Sequence, residues 1–550
     1  MKNTYQINAS VVDPLHQRIY PAQVIVTDGI LSSITPTENL PADAPYILPG
    51  FIDSHVHIES SMLLPENFAR AAVTHGTVGA VADPHEIANV LGVPGIDFMI
   101  ENGKQVPFHF WFGLPSCVPC TNMETAGAII TANDTERLMQ RSDIGFLAEM
   151  MNVPGVLFND AETLGKLAAA RAAHKPIDGH APGLQGEGLQ KYAAQGITTD
   201  HECTTLEEAE ERLKTGICVL IREGSAAHDF ETISPLLATH ADGLMFCTDD
   251  LHPDNLLHGH INQLVKRAIA KGYPLWNVLR AASVTPVQHY GMPVGLLQQG
   301  DSADFVVVDN LQDFTILATA VEGNLFTSLA TMPQKCACAD KQDAWPNNFH
   351  AQPLKQGALH VKPASSMRAI IASNGSLLTG EKIFTPTIED GNAVSDPSRD
   401  ILKIMVLNRY EAGKPLSIGF INGFGMHHGA IASTVAHDSH NLVVVGASDE
   451  AIITAANALI SQQGGIAVVD GEGHIDMLPL PIAGLISPLS HEAVAARYSE
   501  LNCKAHDLGC SFDAPFMTLA FMALPVIPTL KITDKGLFDA AHFQYTTLEV

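Results

Sequence analysis

The sequence predicts an α/β protein built on a (β/α)8 barrel, with a small flanking β domain and a C-terminal α+β domain. Three observations predict this arrangement. Eight short apolar runs alternate with helical stretches between residues 50 and 299, an alternating apolar–polar pattern precedes them, and a separate mixture of strand and helix patterns follows residue 367. Alternating strands and helices are typical of parallel βα units, and eight such units close into a barrel.

The eight apolar or β-branched runs are the predicted barrel strands. They are residues 50–58, 77–83, 108–113, 145–151, 176–180, 196–201, 218–222 and 244–249. Helices are predicted between them at residues 65–74, 161–173, 206–213 and 255–271. Pro65 in a first turn and Gly76 just beyond a helix end fit the residue preferences of helix termini.

The segments on either side of the barrel predict two further domains. Residues 1–49 alternate apolar and polar positions, which is typical of a small antiparallel sheet. A strand at 304–309 is expected to return to that sheet, so residues 1–49 and 300–350 are predicted to form one small β-sandwich domain. After a connection at 331–366, residues 367–550 are predicted to form the α+β domain, with strands at 442–446 and 465–470 and a helix at 449–462.

The composition limits which binding partners and which cellular compartment are expected. The formal charge is -28, from 59 acidic and 31 basic residues, which argues against nucleic acid or anionic membranes as partners. Residues 1–5 begin no signal-peptide-like apolar run, and no apolar stretch reaches 18 residues, so no membrane span is expected. Nine cysteines, an odd number, favour free thiols in a reducing cytoplasm. The pairs Cys117/Cys120 and Cys336/Cys338 are expected to be structural.

Metal-ligating residue types end several of the predicted strands. His55 and His57 are two residues apart on a strand, so their side chains lie on the same face. Active sites of barrels lie at the carboxyl ends of the strands, and four imidazoles with two carboxylates are costly to bury there without a compensating charge. Taken singly, each residue is more simply a hydrogen-bonded strand end or a helix cap. Together they predict a divalent-metal site formed by His55, His57, Glu149, His180, His201 and Asp249.

Several motifs carry a resemblance to a known family. Residues 49–57, with the His, His and Asp that end strands 5, 6 and 8, resemble the amidohydrolase superfamily. The chain is more narrowly similar to bacterial adenine deaminases in four segments, HVHIESSM at 55–62, DPHEIANV at 83–90, CTDDLHPD at 247–254 and AHDSHN at 436–441. The resemblance covers essentially the whole chain. Many binuclear relatives bridge their metals with a carbamylated lysine on strand 4. This chain has Glu149 there instead, as adenine deaminases do, so Glu149 is the candidate bridge.

The resemblance implies a reaction, hydrolytic deamination of adenine to hypoxanthine and ammonia by a metal-bound hydroxide, in purine salvage. It implies two divalent ions, manganese with iron or zinc as alternatives, in a cytoplasmic homodimer. Two neighbouring cations lower the pKa of a bridging water towards about 7. The hypothesis places His55, His57 and Asp249 on one ion, and His180 and His201 on the other, with Glu149 between them. Asp249 is also the predicted proton carrier between the nucleophile and the departing ammonia.

Other site residues are predicted with their alternatives left open. The acid that protonates the purine ring is sought among Glu202, Glu86 and His85, for each of which a structural role is equally compatible with the sequence. The segment after strand 7 is a candidate for base recognition, with surface solvation as the alternative; it contains Arg222, Glu223 and Ser225. Asp250 is a candidate for a hydrogen bond to a ligand imidazole or to the substrate.

Two further histidine groups stand apart from the barrel set. Asp83 and His85, at the end of strand 2, are candidates for an accessory metal. For His427, His428, His437 and His440 in the C-terminal domain, packing or closure over a pocket is favoured over a further metal site.

Two alternative functions compete with deamination. One is a binuclear cyclic-amide hydrolase, similar to dihydropyrimidinase, which the missing strand-4 lysine and the C-terminal motifs disfavour. The other is a non-catalytic scaffold with an amidohydrolase-like barrel, which the presence of all six candidate ligands disfavours.

Overall fold

The computed structural model describes residues 4–41, 43–225, 227–327, 332 and 345–550. These residues divide into two units. The first comprises Met1–Pro84, Asp97–Cys117 and Ile130–Ala337, and the second comprises His85–Ile96, Val118–Ile129 and Cys338–Val550.

The first unit begins with a hairpin-rich sheet. Its strands are β1 (Thr4–Asp13), β2 (Arg18–Thr27), β3 (Ile30–Pro36) and β4 (Tyr46–Pro49). β1 pairs antiparallel with β2 over its whole length, and β4 adds to β1 in parallel. The alternation of apolar and polar residues produces this sheet, because it buries one face of β2, including Val24 and Val26.

Eight parallel strands follow and form the barrel. They are β5 (Phe51–Val56), β6 (Thr77–Ala82), β7 (His109–Leu114), β8 (Phe146–Met150), β9 (Ile177–Gly179), β10 (Thr199–Asp200), β11 (Cys218–Arg222) and β12 (Leu244–Cys247). Hydrogen bonds join β5 to β9 in order and β10 to β12 in order. Each of the eight predicted runs coincides with one of these strands to within a few residues, so the predicted barrel is confirmed.

Two sets of backbone contacts close the ring. Val56 and Asp249 form a parallel bridge between the end of β5 and the residues after β12. There the Asp249 N–H donates to the His55 carbonyl at 2.9 Å, and the His57 N–H donates to the Asp249 carbonyl at 3.3 Å. Between β9 and β10, the Thr198 N–H donates to the Ile177 carbonyl at 2.8 Å.

The helices up to residue 290 are mostly short. They are α1 (Pro65–Val73), α2 (His85–Leu91), α3 (Val93–Gly103), α4 (Ala132–Leu138), α5 (Val153–Leu157), α6 (Ala161–Ala172), α7 (Gly186–Ala193), α8 (Leu206–Thr215), α9 (Phe230–Ile233), α10 (Pro253–His258), α11 (Ile261–Ala270), α12 (Leu275–Leu279) and α13 (Thr285–Tyr290). Short 3-10 turns lie at Ile58–Ser61 and Ser234–Ala238, and a π-helical turn lies at Arg280–Val284. The helices predicted at 65–74, 161–173 and 206–213 are confirmed.

The single helix predicted at 255–271 is wrong. The structure divides it into α10 and α11, because the backbone of Gly259 is fully extended (φ 168°, ψ 171°). This break turns His260 inward, where its Nδ1 lies 2.7 Å from Oγ1 of Thr77. The apolar periodicity continues through the break, so the sequence pattern alone does not reveal it.

Three strands after the barrel return to the first sheet. They are β13 (Phe305–Val308), β14 (Ile316–Val321) and β15 (Asn324–Phe326). β13 pairs antiparallel with both β4 and β14, so the predicted return of 304–309 is confirmed. The predicted sandwich takes the form of one continuous sheet of seven strands, ordered β15-β14-β13-β4-β1-β2-β3. Val12 and Leu48 of this sheet share a buried cluster with Phe246 of the barrel, which explains why the two pack in one unit.

The second unit is an α+β structure. Its strands are β16 (Met367–Ile371), β17 (Gly380–Phe384), β18 (Thr387–Glu389), β19 (Asn392–Val394), β20 (Leu402–Leu407), β21 (Ser417–Asn422), β22 (Ala430–Ser433), β23 (Leu442–Gly446), β24 (Gly465–Val469), β25 (Ile475–Pro479), β26 (Leu530–Thr533), β27 (Gly536–Asp539) and β28 (Gln544–Tyr545). Its longer helices are α14 (Asp449–Gln462), α15 (His491–Asp507) and α16 (Pro515–Phe521), with a 3-10 turn at Pro397–Arg399. The strands predicted at 442–446 and 465–470 and the helix predicted at 449–462 are confirmed.

The main sheet of the second unit has eight strands, ordered β17-β16-β21-β20-β23-β22-β24-β25. Helix α14 buries Ile452 and Leu459 against it. This helix begins after Ser448, whose hydroxyl accepts from the Ala451 N–H, as expected of a helix cap.

The structure bears on the predictions made for the cysteines and for membrane-spanning segments. Cys117 and Cys120 are both free thiols, and the former is buried. Cys336 and Cys338 lie outside the described residues. Of the helices in the part of the chain that the structure describes, none is long and apolar enough to cross a bilayer.

Candidate metal centre

Six predicted ligands come together at the carboxyl ends of the barrel strands. The strand ends position them because the side chains that point inward at that end alternate with others that point outward. Four of the side chains are at most 4% exposed, Asp249 is 10% exposed and His180 is 25% exposed. The set is His55 and His57 from the end of β5, Glu149 of β8, His180 after β9, His201 after β10 and Asp249 after β12.

The two histidines after β5 converge on one point. Nδ1 of His57 lies 3.0 Å from the backbone carbonyl of Asp83, and a carbonyl only accepts, so this nitrogen carries the ring proton. The other ring nitrogen, Nε2 of His57, lies 3.2 Å from Nε2 of His55 and 3.1 Å from Oδ1 of Asp249. Burial, with the nearby rings of His201 and His57, lowers the pKa of His55 well below its usual value.

Glu149 lies between two groups of histidines. Its Oε1 lies 3.4 Å from Nε2 of His57, and its Oε2 lies 2.8 Å from Nδ1 of His180 and 3.2 Å from Nε2 of His201. One carboxylate oxygen therefore faces each group, which is the arrangement of a bridging ligand. The backbone carbonyl of Glu149 accepts the Ser116 hydroxyl at 2.5 Å, which helps to hold this part of β8.

The charged groups around Glu149 keep its carboxylate ionised. Burial raises the pKa of Glu149, but His180 and His201 outweigh it and lower the pKa well below its usual value. Burial lowers the pKa of His180, but Glu202 and Glu149 outweigh that effect and raise the pKa to about 9. The pocket therefore attracts positive charge strongly.

The chemistry of the donor atoms fits divalent cations. Nε2 of His57 and the carboxylate oxygens of Glu149 and Asp249 converge within 3.1–3.4 Å, and a cation among such donor atoms would be stabilised by both carboxylates. His55, His57 and Asp249 have ligand atoms within 4.8 Å of one another, and so do His55, Glu149 and His201. Imidazole and carboxylate donors without thiolate suit manganese, iron or zinc.

Arg222 binds one carboxylate of the set and two carboxylates outside it. Its Nη1 donates to Oδ2 of Asp249 at 3.0 Å and to Oε1 of Glu202, and its Nε donates to Oδ2 of Asp229 at 2.9 Å. The pKa of Arg222 is raised well above its usual value: burial lowers it, but Glu202 and Asp249 outweigh that effect. Arg222 therefore has three carboxylates as its partners, and its predicted contact with a purine base stays a prediction.

Glu202 lies beside the second histidine group. Its Oε1 is 3.5 Å from Nε2 of His201 and 3.8 Å from Nδ1 of His180. Burial raises its pKa, but Arg222 and His180 outweigh burial and lower the pKa below its usual value. This predicted site residue is therefore an anion in direct contact with the set.

Two predicted base-recognition residues are not brought to the set. The Glu223 carboxylate accepts from Arg267 at 2.5 Å and lies 3.6 Å from His228. The Ser225 hydroxyl accepts from the His252 N–H at 2.8 Å and from Asn255 at 3.0 Å. These contacts hold the loop after β11 together, and the predicted role of Glu223 and Ser225 in base recognition stays a prediction.

A hydrogen bond joins Asp250 to the turn that follows His55 and His57. Its Oδ1 accepts the Ser60 hydroxyl at 2.5 Å, and Ser60 follows His57 in a 3-10 turn. Its backbone carbonyl accepts the Ser225 N–H at 2.8 Å. The predicted role in substrate binding stays a prediction.

Two buried networks that support the ligands were not identified from the sequence. Arg212 donates from Nε to Oδ2 of Asp200 at 3.0 Å and from its terminal nitrogens to the carbonyls of Ala181 and Leu184, both at 2.6 Å. Since Asp200 precedes His201 and Ala181 follows His180, this ion pair fixes both ligand segments. The only feature of the sequence that indicates this network is the acidic residue Asp200 next to the predicted ligand His201.

The second network connects the ends of β5 and β12. Oδ1 of Asp53 accepts the Thr248 N–H at 3.0 Å, and its Oδ2 lies 2.9 Å from Nε2 of His260. Asp53 and His260 are both almost fully buried. The network holds the residues next to His55 and Asp249 in register.

Comparison with known proteins gives the chain its family. The sequence model of the amidohydrolase family matches residues 46–326, and that of the adenine deaminase C-terminal domain matches residues 376–544. A protein named adenine deaminase from Salinibacter ruber is 49% identical over 548 residues, which is 99% of each chain. The chain belongs to the adenine deaminase family.

Further adenine deaminases match over nearly their whole length. The one from Methanosarcina mazei is 47% identical over 550 residues, 98% of each chain. The one from Parabacteroides distasonis is 46% identical over 548 residues, 100% of this chain and 99% of the relative. The resemblance read from the four motifs is thereby confirmed. The amidohydrolase family is metal-dependent, which agrees with the clusters of candidate ligands in this adenine deaminase family member.

Proposed function

We propose that this chain hydrolyses adenine to hypoxanthine and ammonia, as a purine-salvage enzyme that works with two divalent cations. The observation that carries the proposal is the position of Glu149, with one oxygen towards His57 and the other towards His180 and His201. This arrangement occurs in a chain whose full-length relatives are named adenine deaminase.

The residues of the set divide between the two cations. His55, His57 and Asp249 are assigned to one, His180 and His201 to the other, and Glu149 to both. Manganese is the proposed metal, with iron or zinc as alternatives, because the donors are nitrogen and oxygen. Bound cations of this kind lower the pKa of water, which provides a nucleophile at neutral pH for attack at C6 of adenine.

Asp249 is the proposed proton carrier. Burial raises its pKa, but hydrogen bonding with His57 and the charges of His201 and Arg222 lower the pKa well below its usual value. It is therefore a carboxylate at neutral pH and can accept a proton from water. Arg222 binds Oδ2, so Oδ1 is the proposed site that receives the proton and passes it to the departing amino group.

Glu202 is the proposed contact to the purine ring. Its side chain is 14% exposed, compared with 3% for Glu149, so an incoming base reaches this carboxylate more readily. Because Glu202 is ionised in the free protein, it must first take up the proton that water loses on becoming the nucleophile before it can donate one to a ring nitrogen. We therefore assign it to the ring as an acceptor that becomes the acid during turnover.

The proposal extends to the state of the protein in the cell. We propose a cytoplasmic homodimer with adenine and water as its small-molecule partners, without nucleic acid or membrane. The acidic composition and the free thiols of the described cysteines support this compartment. Light scattering of the purified protein tests the dimer.

Substrate assays with defined metal content test the reaction. The protein is loaded with Mn2+, Fe2+ or Zn2+ and incubated with adenine, adenosine or dihydrouracil. We expect hypoxanthine and ammonia in equal amounts from adenine alone. Ring opening of dihydrouracil with adenine untouched would instead identify a cyclic-amide hydrolase, and active preparations without any bound divalent ion would contradict the metal assignment.

A further inference from the structure

A second cluster of metal-ligating residues lies entirely within the second unit. It joins the start of α2 to the loop between β22 and β23. Its members are at most 5% exposed and comprise three imidazoles and two carboxylates, His85, Glu86, His437, Asp438 and His440. A buried cluster of this composition requires either complete internal hydrogen bonding or a bound cation.

Glu86 is oriented by two histidines. Its Oε1 accepts from Nδ1 of His437 at 2.5 Å, and its Oε2 accepts from Nε2 of His440. Nδ1 of His440 accepts the Ala436 N–H at 3.1 Å, so the proton of this ring is on Nε2. A carboxylate oxygen has two acceptor positions, so each oxygen of Glu86 keeps one after these bonds are made.

His85 and Asp438 complete a set of three donor atoms. Nε2 of His85 lies 3.4 Å from Oε1 of Glu86, and the ligand atoms of His85, Glu86 and Asp438 all lie within 4.8 Å of one another. The 3.4 Å separation is longer than an ordinary hydrogen bond. It matches the spacing of roughly 3.4 Å between two ligands that each lie about 2.1 Å from a tetrahedral ion.

We propose that His85, Glu86 and Asp438 bind a divalent cation within the second unit. One nitrogen and two carboxylate oxygens suit manganese, iron or zinc. His437 and His440 are positioning residues in this site, since hydrogen bonds from imidazole N–H groups hold a ligating carboxylate in orientation. The site uses none of the six barrel ligands and does not rest on the deaminase proposal.

The loop that carries Asp438 is itself well anchored. Arg409 donates to the His440 carbonyl at 3.2 Å, and the Ser439 hydroxyl donates to Oε2 of Glu124 at 2.6 Å. A cation at this point links the chain segment of α2 to the loop before β23. His85 and Glu86, predicted from the sequence as candidates for the ring-protonating acid, are thereby assigned as ligands.

Metal stoichiometry tests the site. The wild-type protein is dialysed against Mn2+, and bound metal is measured by mass spectrometry and by electron paramagnetic resonance titration. We expect three ions per chain in the wild type, two in Asp438→Asn, and three in the control Asp507→Asn, which changes an exposed carboxylate on α15. Two ions in the wild type, unchanged by Asp438→Asn, would overturn the proposal.

A barrel variant separates the two sites. In the double variant Glu149→Gln with His201→Asn, we expect one Mn2+ ion per chain and a rise in unfolding temperature on its addition, both abolished by the further change Asp438→Asn. No bound ion in this folded double variant would contradict the site even if adenine deamination is established. If the double variant does not fold, the wild-type titration and Asp438→Asn still decide the matter.

Discussion

Arg222 and Asp249 share a hydrogen bond of 3.0 Å between Nη1 and Oδ2, while Oδ1 of the same carboxylate faces Nε2 of His57 at 3.1 Å. The two carboxylate oxygens of Asp249 therefore have different contacts. The guanidinium fixes one oxygen, and the other faces His55 and His57.

Replacement of Arg222 tests this division. We expect Arg222→Gln to lower kcat by at least about tenfold with a smaller effect on KM, because a charge-assisted hydrogen bond to Asp249, the proposed proton carrier, contributes on the order of 1.5–3 kcal/mol. Steady-state ammonia release measures the change. Arg267→Gln, which removes the partner of Glu223 instead, should retain near wild-type kcat. An equal loss in both variants would contradict the specific role of Arg222.

Glu149→Gln tests the bridge. An amide offers one neutral oxygen where the carboxylate offers two charged ones, so we expect reduced occupancy of the barrel metal pair and a fall in adenine turnover of about a hundredfold or more. Metal content and ammonia release are measured on the same preparation. The exposed Glu101→Gln serves as control. Full activity with both ions retained would mean that the bridge lies elsewhere.

The buried pair of Arg212 and Asp200 predicts a large stability effect. Both side chains are 0% exposed, so Arg212→Met leaves an unpaired buried carboxylate, at a cost of about 3–5 kcal/mol in the free energy of unfolding. Denaturant unfolding followed by circular dichroism measures this. Lys214→Met, at a 73% exposed position of the same helix, should change little. The double change Asp200→Asn with Arg212→Met should recover part of the loss; no recovery would contradict the ion-pair explanation.

Lys531 predicts a pH dependence of stability. Burial lowers its pKa from 10.5 to about 7, and its Nζ donates to the carbonyls of Leu377 and Phe521. Between those two values the unfolded chain binds more protons than the folded one, so this group makes stability rise with pH, by at most about 1.4 kcal/mol per pH unit.

Unfolding midpoints in urea at pH 7.5 and 9.0 measure that dependence. We expect the wild type to gain stability relative to Lys531→Met as the pH rises, while the exposed Lys355→Met keeps the wild-type profile. Parallel profiles for wild type and Lys531→Met would contradict the shifted pKa.

The sequence predicts those parts of the molecule that follow from local periodicity. Two-residue alternation places His55 and His57 on one face, and the eight apolar runs correspond to the eight barrel strands. The hydrogen bonds and ion pairs between side chains depend instead on which strand ends become neighbours in the fold. For this reason the contacts of Arg222 with Asp249 and Glu202 could not be predicted. Tertiary contacts also override helix periodicity: the helix predicted at 255–271 breaks at Gly259, next to the buried contact between His260 and Thr77.

The bridge between Val56 and Asp249 joins the earliest and latest strands of the barrel at its mouth. A chain still emerging from the ribosome holds the two histidines of β5 long before Asp249 has been synthesised, and the closure of so long a loop is entropically slow. Under the proposed ligand assignment, the barrel site is complete only once Asp249 has been synthesised. Chains that end before this residue should therefore bind metal at the barrel weakly.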